Sequence, residues 1–279
     1  MFGLRPAESE CPMATRFWRY FGCAAVAALV SASCGSPAST ILGDLGQITK
    51  NGLMRICSTG DYPPFTYRDA QGQWSGMDID LAHNLVQRLN VKLDLVQTTW
   101  ASMMSDLDAK CDVAMGGISI TLDRARQALY SNPYLRDGKA AVVRCTDRSK
   151  YQTLAAIDQP GVRIVVNPGG TNADFVKARI HRATKVEYPD NNTIFTQLTG
   201  GHADVMITDA SEIRWQIKQN PQLCGESLDT PFTFEQKAYL VRQSGTTLLS
   251  WLNEWLNIAN NDGTFSTISQ NWLGQTVGP

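Results

Sequence analysis

Strand-like and helix-like segments alternate along most of this chain, and this alternation constrains the fold more than any other feature. Strand-like runs occupy residues 53–58, 91–97, 162–166 and 204–207. Helix-like runs follow them at residues 77–89, 173–180 and 210–219. This order predicts an α/β fold with parallel sheets, in which ligands bind beyond the carboxyl ends of the strands.

The number of segments suits two similar lobes, each a mainly parallel sheet flanked by helices. A strand starting at Lys139 is predicted to enter the second lobe, and a strand at Ala238 to return to the first. The predicted lobes comprise residues 41–140 with 239–279, and residues 141–238. Two crossings make a hinge, so a small ligand is expected in the cleft between the lobes.

Residues 1–40 resemble a leader for export. From Met13, a short basic stretch precedes an apolar run at residues 21–30 and small residues before Cys34. The apolar run is too short to span a bilayer. We predict an exported protein tethered to the membrane by lipid on Cys34, with free secretion or a retained anchor as alternatives.

Charge and cysteine content exclude several functions. Net charge is 25 minus 26, or −1, and no long basic run indicates a nucleic-acid partner. Beyond the leader, Cys57, Cys111, Cys145 and Cys224 allow three pairings. They form no CxxC motif and no histidine lies at ligand spacing, so no metal or cofactor is expected. Cys57 and Cys111 are interpreted as buried core residues.

A glycine-rich turn, NPGGTN at residues 167–172, joins a predicted strand to a predicted helix. The free backbone N–H groups of such a junction, the helix dipole and the Thr171 hydroxyl favour a bound anion. Gly169 and Gly170 let the backbone approach a ligand closely. The alternative is an ordinary turn in which Thr171 caps the helix.

Arg124 follows a strand and a turn in the first predicted lobe. An arginine there can clamp a carboxylate with two charge-assisted hydrogen bonds, and the Ser119 hydroxyl can add a third. Together with the Gly170–Thr171 turn, Arg124 would hold one anion from both sides of the cleft. Taken alone, Arg124 also fits a solvent-exposed helix.

Four further residues complete the predicted cleft. Asp209 follows the strand at residues 204–207, where it can meet a ligand ammonium group or cap the next helix. Tyr62, Phe65 and Trp100 end strand–loop segments and can enclose a ligand ring. These residue types suit a small carboxylate that carries a ring or an amino group.

Several runs resemble a known family. GDYPPF (60–65), GMDIDL (76–81), ISIT (118–121) with Arg124, and YSNPY (130–134) resemble the bacterial extracellular solute-binding proteins of family 3, which are two-lobed receptors of amino-acid ABC transporters. YLRDGK (134–139), IDQPGV (157–162), VNPGGTN (166–172), PDNNTIF (189–195) and TDA (208–210) resemble an enzymatic branch, the periplasmic cyclohexadienyl dehydratases. The similarity covers about residues 45–273.

The resemblance implies a small-molecule carboxylate or amino acid as ligand, an ABC permease as partner, and a Cys145–Cys224 disulfide. It assigns the ligand carboxylate to Arg124 and Thr171, and an ammonium group to Asp209. The full predicted binding set is Tyr62, Phe65, Trp100, Gly117, Ser119, Arg124, Gly170, Thr171, Asn172 and Asp209.

The branch implies decarboxylative dehydration of prephenate or arogenate, which needs a general acid near the departing hydroxyl. Related enzymes have a glutamate directly after NPGGTN, but this chain has Ala173. Asp174 should point elsewhere because consecutive helical residues differ by about 100°, so Glu212 and Asp209 are the substitutes. The two hypotheses are a dehydratase with a relocated acid and a non-catalytic receptor.

Overall fold

The computed structural model describes residues 44–278. The predicted leader and Cys34 lie outside the described residues. Among residues 44–278, we find no helix with the length and apolar character needed to cross a bilayer.

The first half of the chain forms most of one sheet, its flanking helices and a small three-stranded meander. Its elements are α1 (Asp44–Asn51), β1 (Leu53–Ser58), β2 (Asp61–Tyr62), β3 (Thr66–Arg68), β4 (Trp74–Ser75), α2 (Met77–Leu89), β5 (Lys92–Gln97), α3 (Met103–Lys110), β6 (Val113–Ala114), α4 (Leu122–Ala125) and β7 (Ala128–Tyr130).

The middle of the chain forms a strand that precedes the crossing and then the second sheet. Its elements are β8 (Leu135–Asp137), β9 (Lys139–Arg144), a 3₁₀ helix (Cys145–Lys150), α5 (Leu154–Ile157), β10 (Arg163–Val166), α6 (Thr171–Arg179), β11 (Thr184–Glu187), α7 (Thr196–Thr199), β12 (Val205–Asp209), α8 (Ala210–Gln219) and β13 (Leu223–Glu226).

The last part of the chain returns to the first sheet. Its elements are β14 (Glu235–Lys237), β15 (Leu240–Arg242), α9 (Thr246–Asn261) and α10 (Thr264–Leu273). Both closing helices bury apolar faces against α2 and the first sheet, in one hydrophobic core that includes Leu85, Leu252 and Phe265.

Each of the two main sheets has five strands, in the orders β5-β1-β6-β15-β7 and β11-β10-β12-β9-β13. In each sheet one strand runs opposite to the other four, β15 in the first and β9 in the second. These reversed strands belong to the segments that cross between the sheets. We refer to the part of the molecule around the first sheet as lobe 1 and that around the second as lobe 2.

A two-stranded antiparallel ribbon, β8 paired with β14, connects the lobes. Strand β8 comes immediately before β9 in the chain, and β14 follows the last strand of lobe 2. This ribbon was not predicted from the sequence. Its strands are three residues long and carry charged side chains, so they lack the apolar pattern of a buried strand.

Several predicted boundaries differ from the structure. The helix predicted from residue 173 begins at Thr171, and the strands predicted at residues 91–97 and 204–207 are β5 (Lys92–Gln97) and β12 (Val205–Asp209). Strands β3, β4, β7 and β13 were not predicted; each has at most four residues.

Cys57 and Cys111 are buried core residues, as interpreted from the sequence, but they are also paired with each other. They form a disulfide, with Cα atoms 5.7 Å apart, that joins the end of β1 to the residue after α3. Sequence separation of 54 residues gave no hint that the sheet brings them together. Cys145 and Cys224 form the second disulfide, the pairing implied by the family resemblance.

Candidate functional site

The glycine-rich turn leads directly into helix α6. Gly169 has φ of +87°, a conformation that favours glycine. A Cβ atom on Gly169 would lie 3.2 Å from Cβ of Ala101 in lobe 1, so the two lobes meet here. Gly170 is the N-cap residue of α6 and has no side chain to cap the helix. The first backbone N–H groups of α6 are therefore available to an anion in the cleft.

Arg124 lies on the opposite side of the cleft from the glycine-rich turn, in lobe 1. Its backbone N–H donates to Oγ1 of Thr121, the N-cap of α4, at 3.2 Å. Its Nη1 donates to the carbonyl of Ser119 at 3.0 Å, and its guanidinium lies 5.8 Å from the Trp100 ring centroid. These contacts orient the guanidinium and leave donors for a carboxylate.

One cavity between the lobes brings the two anion-binding groups together. Its empty volume is about 350 Å³, including space at its mouth that is continuous with solvent. The residues that line it are Tyr62, Trp100, Gly117, Ser119, Arg124, Asn167, Gly170, Thr171, Asn172, Asn191 and Asp209. Of the predicted binding residues, all except Phe65 are among them.

Phe65 supports the wall of the cavity from behind. It is fully buried, and its ring stacks on Tyr62 at a centroid distance of 5.4 Å. Tyr62 in turn meets the edge of Trp100 at 5.5 Å. Gly117 fits against these rings because it has no side chain. A Cβ atom there would clash, lying 2.7 Å from ring atoms of both Tyr62 and Phe65. The predicted direct role of Phe65 is therefore replaced by a packing role.

Asp78 fixes the glycine loop beneath these rings. Its carboxylate accepts hydrogen bonds from the backbone N–H of Gly117 at 2.6 Å, from the Tyr134 hydroxyl at 2.7 Å and from the Tyr239 hydroxyl at 3.0 Å. Burial raises the pKa of Asp78 to about 6, although these donors oppose the increase. Asp78 thus positions the loop that carries Ser119 and leads to Arg124.

A buried charge cluster forms the inner end of the cavity. The Asp209 carboxylate accepts hydrogen bonds from Nζ of Lys139 at 2.7 Å, from Nζ of Lys237 at 2.5 Å and from the Tyr62 hydroxyl. Lys139 and Lys237 are fully buried. Tyr62 belongs to lobe 1 and Asp209 to lobe 2, so this cluster joins the lobes next to the hinge.

Asp209 occupies the N-cap position of α8, and its predicted role towards a ligand ammonium group stays a prediction. Its side chain makes no capping hydrogen bond to α8, and both of its oxygens are paired with lysine. Burial acts to raise the pKa of Asp209, but the charges of Lys139 and Lys237 lower that pKa well below its usual value. Asp209 therefore stays ionised, and lysine ammonium groups occupy its acceptor positions.

The two lysines also connect the cluster to the predicted anion-binding residues. Lys139 donates to Oγ1 of Thr171 at 2.9 Å, and Lys237 donates to Oγ of Ser119 at 2.8 Å. Ser119 donates to Glu235 at 2.9 Å. Sequence reasoning missed both lysines, because a lysine is usually solvated. For Lys139, the YLRDGK run was the available signal.

Glu212 lies behind the cavity wall, in the first turn of α8. It is fully buried and accepts a hydrogen bond from Oγ1 of Thr208 at 2.5 Å. Thr208 accepts a hydrogen bond from Nδ2 of Asn172 at 2.8 Å, and Asn172 lines the cavity. Burial raises the pKa of Glu212 to about 8, so this residue is mostly protonated at neutral pH.

Ala173 and Asp174 follow in the first turn of α6. Ala173 is half-buried and offers no proton donor. Asp174 is exposed and lines a neighbouring surface cavity with Lys177 and Glu235, as expected from its position on the helix. Among residues 44–278, no group of three or more His, Cys, Asp or Glu side chains is arranged to hold a metal ion.

Residues 54–275 match the bacterial extracellular solute-binding proteins, family 3. The chain belongs to this family. Its architecture is the two-lobed, type II periplasmic-binding-protein fold, with a mixed sheet in each lobe and the cleft between them.

Among curated relatives, the cyclohexadienyl dehydratase of Pseudomonas aeruginosa is 43% identical over 251 residues, covering 90% of this chain and 92% of the relative. The L-cystine-binding protein TcyJ of Escherichia coli is 25% identical over 239 residues, covering 84% and 88%. The chain is thus similar both to an enzyme and to binding proteins of the same family.

Solved structures show the same two kinds of relative. An ancestral amino acid-binding protein, AncCDT-1, described as a precursor of cyclohexadienyl dehydratase, has a TM-score of 0.77 at 30% identity and covers 82% of this chain and 99% of its own. An ancestral cyclohexadienyl dehydratase, AncCDT-3, has a TM-score of 0.53 at 40% identity and covers 84% and 97%.

Proposed function

We propose that this protein binds a small cyclohexadienyl carboxylate between its lobes and dehydrates it to an aromatic product. The observation that carries the proposal is the cavity between the lobes onto which Arg124, from lobe 1, and the start of α6, from lobe 2, both open. A carboxylate in that cavity would meet a guanidinium on one side and helix N–H groups on the other. Similarity to a cyclohexadienyl dehydratase supports prephenate or arogenate as substrate.

In this reaction the ring carboxylate leaves as CO₂ and the ring hydroxyl leaves as water. The electron pair of the broken C–C bond enters the ring, which becomes aromatic as the C–O bond breaks. The departing hydroxide requires one proton, which a general acid must supply. The enclosed cleft keeps the reacting atoms away from bulk water.

Glu212 is the proposed source of that proton. Ala173 cannot donate one, and Asp209 is held ionised by two lysines. Glu212 is protonated at neutral pH, and the Thr208 hydroxyl and the Asn172 amide link it to the cavity. Because Thr208 donates to Glu212 and accepts from the Asn172 amide, it cannot relay this proton. Glu212 would transfer its proton directly to the departing hydroxide, which leaves as water, and Glu212 is then ionised until solvent reprotonates it when the lobes open.

A second candidate function is ligand binding without catalysis, as a receptor that delivers an amino acid or related carboxylate to an ABC permease. Ala173 favours this candidate, because the residue that follows NPGGTN has no acidic group.

We further propose export with residues 1–40 as the leader and Cys34 as the lipid attachment site. The proposed lobes are residues 41–140 with 239–279, and residues 141–238.

The deciding experiment is incubation of the purified mature protein with prephenate and with arogenate, following phenylpyruvate and phenylalanine. Dehydration of either substrate, lost in Glu212→Gln, would support the proposal. No turnover, together with calorimetric binding of an amino acid, would contradict the enzyme proposal and support the receptor.

Ala173→Glu tests whether the rest of the cleft is competent for dehydration. A general acid contributes about 10²- to 10⁴-fold to such a reaction. We therefore expect the variant to dehydrate prephenate faster than the unmodified protein by a factor in that range. Ala178→Glu, on the same helix, is the matched control for the added charge.

A further inference from the structure

The two carboxyl oxygens of Glu212 have different surroundings. Oε2 accepts a hydrogen bond from the Thr208 hydroxyl at 2.5 Å. Oε1 is buried and, within residues 44–278, accepts no hydrogen bond. The proton of a neutral carboxyl group resides on the oxygen that is not already accepting a hydrogen bond. The proton of Glu212 therefore belongs on Oε1.

The hydroxyl group of Thr208 is itself held in one orientation. Its oxygen accepts a hydrogen bond from Nδ2 of Asn172 at 2.8 Å. Thr208 is fully buried, and its branched Cβ atom restricts rotation about χ1. With the oxygen facing Asn172, the single hydroxyl hydrogen of Thr208 is directed at Oε2 of Glu212.

A direct strand-to-helix junction keeps these groups together. Thr208 is the last residue but one of β12, and Glu212 lies in the first turn of α8, which begins where β12 ends. Asn172, in the first turn of α6, belongs to the same lobe. Because all three residues are part of lobe 2, the two hydrogen bonds are retained when the lobes open and close.

The hydrogen bond from Thr208 favours the ionised form of Glu212. Burial raises the pKa of Glu212 to about 8, and the Thr208 hydroxyl opposes that increase. When Glu212 acts as an acid, its O–H bond at Oε1 breaks, the electron pair stays on the carboxylate and the proton joins the departing hydroxide. The charge that develops is shared with Oε2, so the bond from Thr208 becomes charge-assisted and strengthens as the proton leaves.

We propose that Thr208 is a positioning residue for the general acid, which directs the transferable proton of Glu212 to Oε1 and stabilises the carboxylate that remains. The proposal rests on the proposed dehydratase function and gives Thr208 a part in its proton transfer. Thr208 does not donate to the substrate, because its only side-chain hydrogen is given to Glu212.

Thr208→Val tests this role, because valine keeps the shape of the side chain and removes the hydroxyl. Turnover of prephenate should fall about tenfold or more. The pH above which turnover declines should rise by about one unit, since ionised Glu212 loses a donor. Thr208→Ser keeps the hydroxyl and should restore both the rate and the pH profile. Lower turnover with an unchanged pH profile in Thr208→Val would show a packing role only and overturn the proposal.

The free energy of unfolding tests the same contact without a substrate. In the unmodified protein, the stabilisation by protonated Glu212 is lost as the pH rises from 4.5 towards about 8. In Thr208→Val this loss should continue to a pH about one unit higher, measured by urea denaturation. Identical pH profiles for the two proteins would overturn the proposal. Absence of turnover together with the expected shift would contradict the dehydratase function and still support the hydrogen bond to Glu212.

Thr184→Val is the matched control, because Thr184 is exposed on β11, in the same sheet as Thr208. It makes the same substitution far from Glu212 in the sequence, so turnover and both pH profiles should stay at the unmodified values. Thermal unfolding establishes that each variant is folded before the profiles are compared. A shift of the same size in Thr184→Val would overturn the proposal.

Discussion

Arg124 is the residue on which the proposed carboxylate site depends most. Ser119 and Trp100 hold its guanidinium at the cavity wall, and the start of α6 faces it from lobe 2. No other arginine or lysine of lobe 1 is on the wall of this cavity in the described part of the chain. Loss of its side chain should therefore remove most of the favourable interaction with a ligand carboxylate.

Arg124→Ala should weaken binding of prephenate or a simple carboxylate by about 10- to 100-fold, since a charge-assisted hydrogen bond contributes about 1.5–3 kcal/mol. Calorimetric titration measures the change. Arg126→Ala is the control, because Arg126 is exposed and pairs with Asp123 outside the cavity. Unchanged affinity in Arg124→Ala would refute the clamp.

The buried carboxyl group of Glu212 should make the stability of the protein depend on pH. Burial raises its pKa from 4.5 to about 8 in the folded protein, so the folded state binds this proton more tightly than the unfolded chain. The stabilisation is complete below pH 4.5 and is lost as pH rises towards 8, with a full range of roughly 5 kcal/mol. Glu212→Gln should flatten this fall between about pH 5 and 8 in chemical denaturation. Identical pH profiles for the two proteins would contradict the buried, protonated state.

At the scale of single residues, most of the side chains that line the cavity were predictable from residue type and position. Arg124, Thr171 and Trp100 follow strands at places where α/β folds bind ligands. Lys237 and Asn191 were not predictable, because nothing local in the sequence shows that this lysine or this asparagine is buried. Asn191 contacts lobe 1 through its hydrogen bond to the Asp61 carbonyl, a long-range contact that local sequence does not indicate.

At the scale of secondary-structure elements, each disulfide joins a strand to a short or irregular segment. Cys145–Cys224 ties the start of the 3₁₀ helix to β13, and Cys57–Cys111 ties β1 to the segment after α3. Neither covalent link spans the two lobes. Each therefore stabilises its own lobe and leaves hinge motion free.

Replacing Cys145 and Cys224 together by serine should lower the free energy of unfolding by about 2–5 kcal/mol, because the bond closes a long loop in the unfolded chain. Urea denaturation measures the difference. The Cys57→Ser, Cys111→Ser double variant should lose a similar amount, since its loop is 54 residues against 79. A loss in only one of the two variants would contradict the assignment of both bonds as structural.

Long elements were predicted well and short ones poorly. Helices α2 and α8 have the predicted bounds, because amphipathic runs and acidic first turns mark them clearly. The β8–β14 ribbon depends on two segments almost a hundred residues apart finding each other. No local pattern encodes such pairing, and the same is true of the Cys57–Cys111 bond.

For the whole molecule, closure of the lobes is the central property. Tyr62 donates across the cleft to Asp209, and Asn191 donates across it to the backbone of Asp61. The described structure therefore represents a closed arrangement that must open to admit a ligand of useful size.

Tyr62→Phe should shift the unliganded protein towards an open form. A hydrogen bond to a charged group contributes about 1.5–3 kcal/mol, so the closed-to-open ratio should fall about 10- to 100-fold. Small-angle X-ray scattering would report an increased radius of gyration. Tyr67→Phe, at an exposed position on β3, should leave the scattering unchanged. No difference between the two variants would show that this bond does not control closure.

The reversed strand β15 also governs the order in which the chain can fold. It lies between β6 and β7 in the first sheet, yet it follows all of lobe 2 in the sequence. Lobe 2 is one continuous segment and can assemble as soon as it is synthesised, whereas the first sheet has a gap until residue 242 arrives. Long-range pairing of this kind slows folding. The first sheet therefore cannot be completed until β15 has been synthesised. During synthesis, lobe 2 is expected to become structured before lobe 1.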